Sequence, residues 1–156
     1  MRLLDAWRSR AMPVVLVRHD STEPPSPFWP DKPTNAFKAE IALRDGEWVV
    51  AKSTNSAFIG TDLEARLRAA GHTTLVIVSV ITNNSLEATV RTAGNLGFDV
   101  VVAADVYWTF AKRGFGGIMR SAQEVHNMAF ANIDGEYAGV LSTDAVIASL
   151  NEKTGS

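Results

Sequence analysis

Apolar and polar positions fall into blocks along this chain, and the blocks predict elements before any chemistry is considered. The most telling block is Leu75, Val76, Ile77, Val78, Val80 and Ile81, a β-branched run with almost no alternation. Such a run predicts a strand buried on both faces of a parallel sheet. The polar turn Thr82-Asn83-Asn84-Ser85 follows at once, and Leu86, Val90 and Ala93 then recur at helical spacing up to Gly97, an expected helix stop. A strand, a tight turn and a helix put Ser85 at a helix N-terminus. There the unpaired N–H groups and the positive end of the helix dipole favour a developing negative charge.

The remaining blocks read the same way. Leu3, Leu4 and Trp7 share one side of a short helix that Pro13 breaks, and PVVLVRH (13–19) is a buried strand. Five prolines between Asp20 and Thr34 predict a stiff irregular excursion, with a turn of helix over Asn35–Ile41. WVVAK (48–52) is a short strand, and a helix capped by Thr61 or Asp62 runs to Ala70 before Gly71. Val100–Ala104 is a strand ending at Asp105, and Lys112–Gly117 is a loop. A helix over Ser121–Asn132 opens on a Ser121/Glu124 capping box. Glu136–Ser142 is a last strand, and Asp144 caps a terminal helix. Strands alternating with helices predict an α/β fold, a three-layer sandwich with a mainly parallel sheet. One domain spanning 1–156 is expected, with 151–156 as a disordered tail.

Composition narrows the function classes. The chain has 156 residues, 46% of them hydrophobic, enough for one sizeable core. Fifteen basic against seventeen acidic residues leave a net charge of −2, with no basic cluster for nucleic acid. With no cysteine, the chain has no disulfide and no thiol nucleophile. No apolar span is long enough for a bilayer and no signal peptide opens the chain, so a cytoplasmic location and no membrane partner are expected.

Ligands of parallel sheets bind beyond the carboxyl ends of the strands, which selects His19, Lys52, Thr82–Ser85, Asp105–Trp108 and Ser142. Lys52 closes an apolar strand, where burial lowers an amine's affinity for its proton and suits it to acid–base work. It reads equally as a strand-end lysine reaching water. Ser85 is a nucleophile only with a base beside it, and otherwise a helix-start residue satisfying backbone donors. His19 stands alone, with no second histidine at metal-ligand spacing; His72 and His126 read as structural or solvated. Phe58, Asn84 and Trp108 are candidate pocket residues, with turn or packing roles as the alternative. No metal or cofactor is expected, and no Gly-rich phosphate loop follows the first strand.

Two motifs raise these readings. One is Lys52 followed by Ser56-Ala57-Phe58-Ile59-Gly60-Thr61-Asp62-Leu63, then Leu67 and Gly71. The other is Val80, Thr82, Asn83, Ala88, Thr89, Arg91, Ala93, Leu96, Gly97 and Phe98. In this order and spacing they resemble the isochorismatase-like superfamily of cysteine hydrolases, over about Leu3 to Val146. The resemblance implies an Asp–Lys–Cys mechanism with an oxyanion held by backbone amides near a non-proline cis peptide. Lys52 matches the Lys, the amides of Ile81, Thr82 and Ser85 match the oxyanion region, and Ser85 occupies the nucleophile position. An alcohol is far less acidic than a thiol, so the same base activates it less.

The family Asp ends a first strand, central in a sheet ordered 3-2-1-4-5-6, and this chain begins at the helix after it. Neither Asp5 nor Asp20 matches that Asp by order. A missing middle strand would leave a gap of about 10 Å lined by unpaired backbone groups. The flanking strands then close up, a partner supplies a strand, or the natural protein begins further upstream, which is the expectation preferred. The function expected is hydrolysis of a small amide, imide or related carbonyl compound, with Ser85 and Lys52 facing a common pocket. The alternative is a silent family member that binds a small molecule or serves as an assembly subunit. The resemblance also implies a homodimer or larger homo-oligomer, with the Pro-rich excursion and the Phe110–Gly117 loop as contact or lid regions.

Overall fold

The computed structural model describes residues 1–152, and residues 153–156 of the expected tail lie outside them. The chain divides into two compact units, Met1–Arg66 and Leu67–Ser156. The alternation of strand and helix is borne out as an α/β fold with mainly parallel sheets.

In the first unit, α1 (Arg2–Arg8) precedes two parallel strands, β1 (Val15–His19) and β2 (Trp48–Lys52). They pair in register from Val15 with Trp48 to His19 with Lys52. The Pro-rich excursion between them is built of turns, including two 3-10 turns, Pro33–Asn35 and Ala39–Ile41, in place of the turn of helix expected there. Lys32 ties the excursion down by donating to the carbonyls of Pro24 and Ser26. α2 (Leu63–Ala69) buries Leu63 and Leu67, as the spacing predicts.

An ion pair fixes α1 to the segment ahead of β2. Arg8 Nε and Nη2 donate to the two carboxylate oxygens of Glu47 at 2.7 and 2.8 Å, and both side chains are less than a tenth exposed. The Arg8 hydrogen bond, aided by the Arg44 amide, holds the Glu47 carboxyl below its ordinary range. A carboxyl with a depressed folded value stabilises the fold above its unfolded pKa, about 4.3, and loses that contribution as pH falls through the folded value. Glu47→Gln is therefore expected to lower Tm at pH 7, with the gap to the parent narrowing below about pH 4. A gap independent of pH in thermal melts would contradict the assignment.

The second unit holds a three-stranded parallel sheet. β3 (Thr74–Ile77), β4 (Asp99–Ala103) and β7 (Gly139–Leu141) lie in the order β3-β4-β7. β4 is the middle strand, which is why Val100, Val102 and Ala103 are fully buried. The run at 75–81 departs from expectation in two respects. Its strand ends at Ile77, and none of its residues is buried, with Val78 and Val80 51% and 55% exposed. Among the described residues β3 has one strand neighbour, β4, so a run that reads as central is covered like an edge strand. Likewise β1 pairs with β2 alone among the described residues.

α3 (Glu87–Asn95) buries Val90 and Ala93, with Leu86 buried just ahead of it, and the chain turns away at Gly97 with φ 82°. Only glycine adopts that left-handed conformation without cost. α4 (Ala122–Ala131) opens on the expected capping box, Glu124 N donating to Ser121 Oγ and Ser121 N to Glu124 Oε2. Between β4 and α4 stands a hairpin where a loop was expected, β5 (Lys112–Arg113) against β6 (Met119–Arg120). α5 (Thr143–Glu152) is capped by Ser142, whose Oγ accepts from Ala145 N, and Asp144 sits in its first turn. α5 runs through Asn151 and Glu152, the first two residues of the expected tail.

Candidate functional site

In the first unit the carboxyl ends of β1 and β2 set His19 beside Lys52. Lys52 is 7% exposed, and its Nζ donates to the Thr54 carbonyl at 2.7 Å. Burial pushes its pKa below the ordinary lysine value, since an ammonium loses solvation that a neutral amine does not need. His19 is half-buried and meets Phe28 edge-on, with ring centroids 6.0 Å apart. Burial and then the Lys52 charge lower its pKa, so the imidazole is neutral at pH 7.

Asp20, next along from His19, donates its N–H to the Lys52 carbonyl. Its carboxylate is occupied by Arg18, at 2.7 and 3.0 Å, and by the buried Asn35. These bonds, that of Arg18 first, hold it below the usual carboxylate range. An acid so engaged is a fixed anion and a poor proton acceptor. Beyond Lys52 the chain folds into a knot of side-chain-to-backbone bonds: Thr54 Oγ1 donates to Ser56 O, Thr61 Oγ1 to Ala57 O, and Phe58 N to Ser56 Oγ. Phe58 is 8% exposed and belongs to the packed interior.

In the second unit the chain leaves β3 through Val78 and Ser79 to a cis peptide at Val80–Ile81. A single π turn, Thr82–Leu86, follows and runs into α3. Ser85 lies half-buried in that turn, so the serine expected at a helix N-terminus stands in a wider turn joined to the helix. The three amides expected to hold an oxyanion differ in availability. Thr82 N–H donates to the Trp108 carbonyl at 3.3 Å, whereas Ile81 N–H has no hydrogen-bond partner among the described residues. Asn84 is exposed, and its carbonyl accepts from Glu87 N–H in the first turn of α3.

The segment after β4 braces this turn. The Tyr107 hydroxyl donates to the Ile77 carbonyl, Thr109 Oγ1 donates to Asn83 Oδ1, and the Trp108 carbonyl receives both N–H and Oγ1–H of Thr82. Trp108 acts there through its backbone, while its side chain is 69% exposed. Burial keeps the Tyr107 phenol protonated far above its usual range. The Thr82 hydroxyl has one proton, given to Trp108, so its oxygen accepts from Nδ1–H of His126 at 3.1 Å. His126 also meets Phe130 edge-on at 4.6 Å. Sequence reading treats His126 as structural or solvated, includes Tyr107 only as part of the Asp105–Trp108 strand end, and passes over Thr109. The signal available was their place after a strand end, where parallel sheets gather function.

A cleft of about 540 Å³ opens in this unit at the carboxyl ends of β4 and β7, lined by Asp105, His126, Phe130 and Ser142 among others. The Asp105 carboxylate there receives Thr143 N–H and Oγ1–H, both at 2.8 Å, and so ties the loop after β4 to the start of α5.

Comparison with known proteins places these features in context. The sequence profile described as the Isochorismatase domain matches residues 1–145. The chain is 34% identical over 146 residues to the isochorismatase family protein YrdC of Bacillus subtilis, covering 94% of this chain and 78% of that protein. It is 30% identical to YecD of Escherichia coli O157:H7, covering 96% and 80%. Among solved structures, an isochorismatase-family protein from Chromobacterium violaceum is 54% identical and superposes with a TM-score of 0.93, over 97% of this chain and 78% of that one. A second, from Oleispira antarctica, is 35% identical with a TM-score of 0.88, over 94% and 78%.

Proposed function

Because this chain belongs to the isochorismatase family of hydrolases, we propose that it hydrolyses a C–N bond of a small amide, imide or related carbonyl compound. Ser85 Oγ attacks the carbonyl carbon and its proton passes to Lys52 Nζ. The oxyanion takes hydrogen bonds from backbone amides of the cis-peptide turn, with Ile81 N–H as a donor that has no competing partner among the described residues. Collapse of the tetrahedral adduct expels the amine, which carries away the proton from Lys52. Water then attacks the seryl ester by the same route and releases the acid.

The observation that carries this reading is the state of Lys52. It is 7% exposed at a strand end, and burial alone accounts for its lowered proton affinity. An amine so placed accepts a proton at a lower pH than one in water, as activation of a serine hydroxyl requires. The test is a panel of small amides, imides and carbamoyl compounds offered to the parent and to Ser85→Ala. The expected result is turnover of at least one compound, reduced about a hundredfold or more in the variant. Turnover untouched by Ser85→Ala would discard the nucleophile.

A second reading rests on the hydroxyl that stands where the resemblance implies a thiol. In it the chain binds the same small carbonyl compounds without turning them over. Saturable binding by the parent with no product formed would favour it.

A further inference from the structure

The link from β3 to the turn that carries Ser85 has little of its own to hold it. None of residues 78–81 is buried, and Val78 and Val80 are more than half exposed. A segment with few packed side chains takes its position from its two ends. Both ends here are tied to α4. At one end the Tyr107 hydroxyl donates to the Ile77 carbonyl, and the Tyr107 ring rests edge-on against Phe130 of α4, centroids 5.5 Å apart. At the other end His126 of α4 holds Thr82, which is fully buried and opens the turn.

The bonds on Thr82 are unequal. Its N–H and its Oγ1–H share the Trp108 carbonyl, each at 3.3 Å, past the ordinary range of about 2.5–3.2 Å. The imidazole Nδ1–H reaches Oγ1 at 3.1 Å and is the firmest of the three. Nδ1 carries its proton in either charge state of the ring, because the Thr82 hydroxyl has already given its one proton to Trp108. Charging the ring therefore leaves the bond in place. The ring is steadied edge-on by Phe130, and His126 also lines the cleft of about 540 Å³, so the anchor is open to solvent from that side.

We propose that His126 is a positioning residue for the hydrolysis described above, a reading on which this inference rests. By fixing Thr82 it aims Ile81 N–H, just ahead of Thr82, and Ser85, further along the same turn, at one carbonyl group. It touches no substrate and moves no proton. Its contribution is the placing of two groups that must act together, where a misplacement on the order of 1 Å costs up to about 100-fold in rate.

The test is kcat and KM of the parent, His126→Ala and His126→Asn on one amide that the parent turns over, with hydrogen exchange of the Thr82 amide measured beside them. All three are checked for the parent's circular dichroism. His126→Ala is expected to lower kcat about 10- to 100-fold with KM little changed, and to speed Thr82 exchange about tenfold. Asparagine offers an N–H close to the place of Nδ1–H and should recover most of both losses. Imidazole added from solution, entering by the cleft, should restore kcat to His126→Ala and leave the parent unchanged. The pH at which kcat/KM levels off should be the same in all three. Equal kcat in the parent and His126→Ala, a loss that neither asparagine nor imidazole reverses, or a shifted pH profile would overturn the proposal and leave the hydrolase reading standing. Thr82 exchange that His126→Ala leaves unchanged would overturn it without any substrate. A parent that turns over no amide would remove the hydrolase reading itself, and this inference with it.

Discussion

Ser85→Cys is expected to raise kcat/KM on any amide the parent turns over by on the order of 10²- to 10³-fold, the size of one general-base contribution. The side chain is half-buried in the π turn, and sulfur for oxygen is the smallest change of shape the position can take. The reactivity changes. A few per cent of a free thiol is ionised at neutral pH and its sulfur is intrinsically nucleophilic, whereas the serine oxygen must lose its proton to Lys52 as it attacks. The variant should also react with iodoacetamide at a rate that rises with pH, which the cysteine-free parent cannot do. Kinetics on the compound identified with the parent check the first expectation, and an unchanged or lower kcat/KM would argue that Ser85 is not the attacking group.

Lys52→Met carries the second large effect, a loss of about 10²- to 10⁴-fold in kcat/KM. Methionine keeps an unbranched apolar stem in the space of a side chain that is 7% exposed, so lost packing does not account for the loss. The sign of the pH dependence follows from the role. A base must be neutral to accept a proton, so the parent's kcat/KM should climb with pH and level off above the pKa of Lys52. Burial sets that inflection below the ordinary lysine value of about 10.4. The Lys52→Met profile should lack the inflection. The His19 pKa is lowered too, by burial first and then by the Lys52 charge. A profile that falls with rising pH, or one that Lys52→Met leaves in place, would remove Lys52 from the reaction.

Much of the fold was legible where local chemistry decides the outcome. WVVAK is a strand over its full length, the Ser121/Glu124 box caps α4, and Gly97 ends α3 in the left-handed region. Each of these depends on a residue's own side chain or on its close neighbours. The 75–81 run shows the limit of such reading. Its β-branched character is intrinsic, but its length as a strand depends on the partner: Ile77 pairs with Val102, and the Ile77 carbonyl beyond takes the Tyr107 hydroxyl. Nothing within the run encodes that a neighbour ends there. The hairpin was missed for a related reason, because two ladder residues per strand leave too short a pattern for period-two alternation to register.

At the site, chemistry was more legible than geometry. Lys52 could be singled out as a polar residue closing an apolar strand, and the side chain is buried at that strand end. The brace from Tyr107, Trp108 and Thr109 to Ile77, Thr82 and Asn83 could not, since it spans about thirty positions of sequence and two of its contacts use main-chain carbonyls. Trp108 illustrates the difference. It was singled out for its ring, yet its carbonyl is the atom that holds the turn.

The most direct test of the central claim is a double-substitution cycle of Lys52→Met and Ser85→Ala, measured as kcat/KM on one amide substrate. If one deprotonates the other, removing the second after the first costs almost nothing, and the double variant should be about as slow as the slower single. Losses that multiply in the double variant would mean that the two residues act in separate steps, and the account would fall.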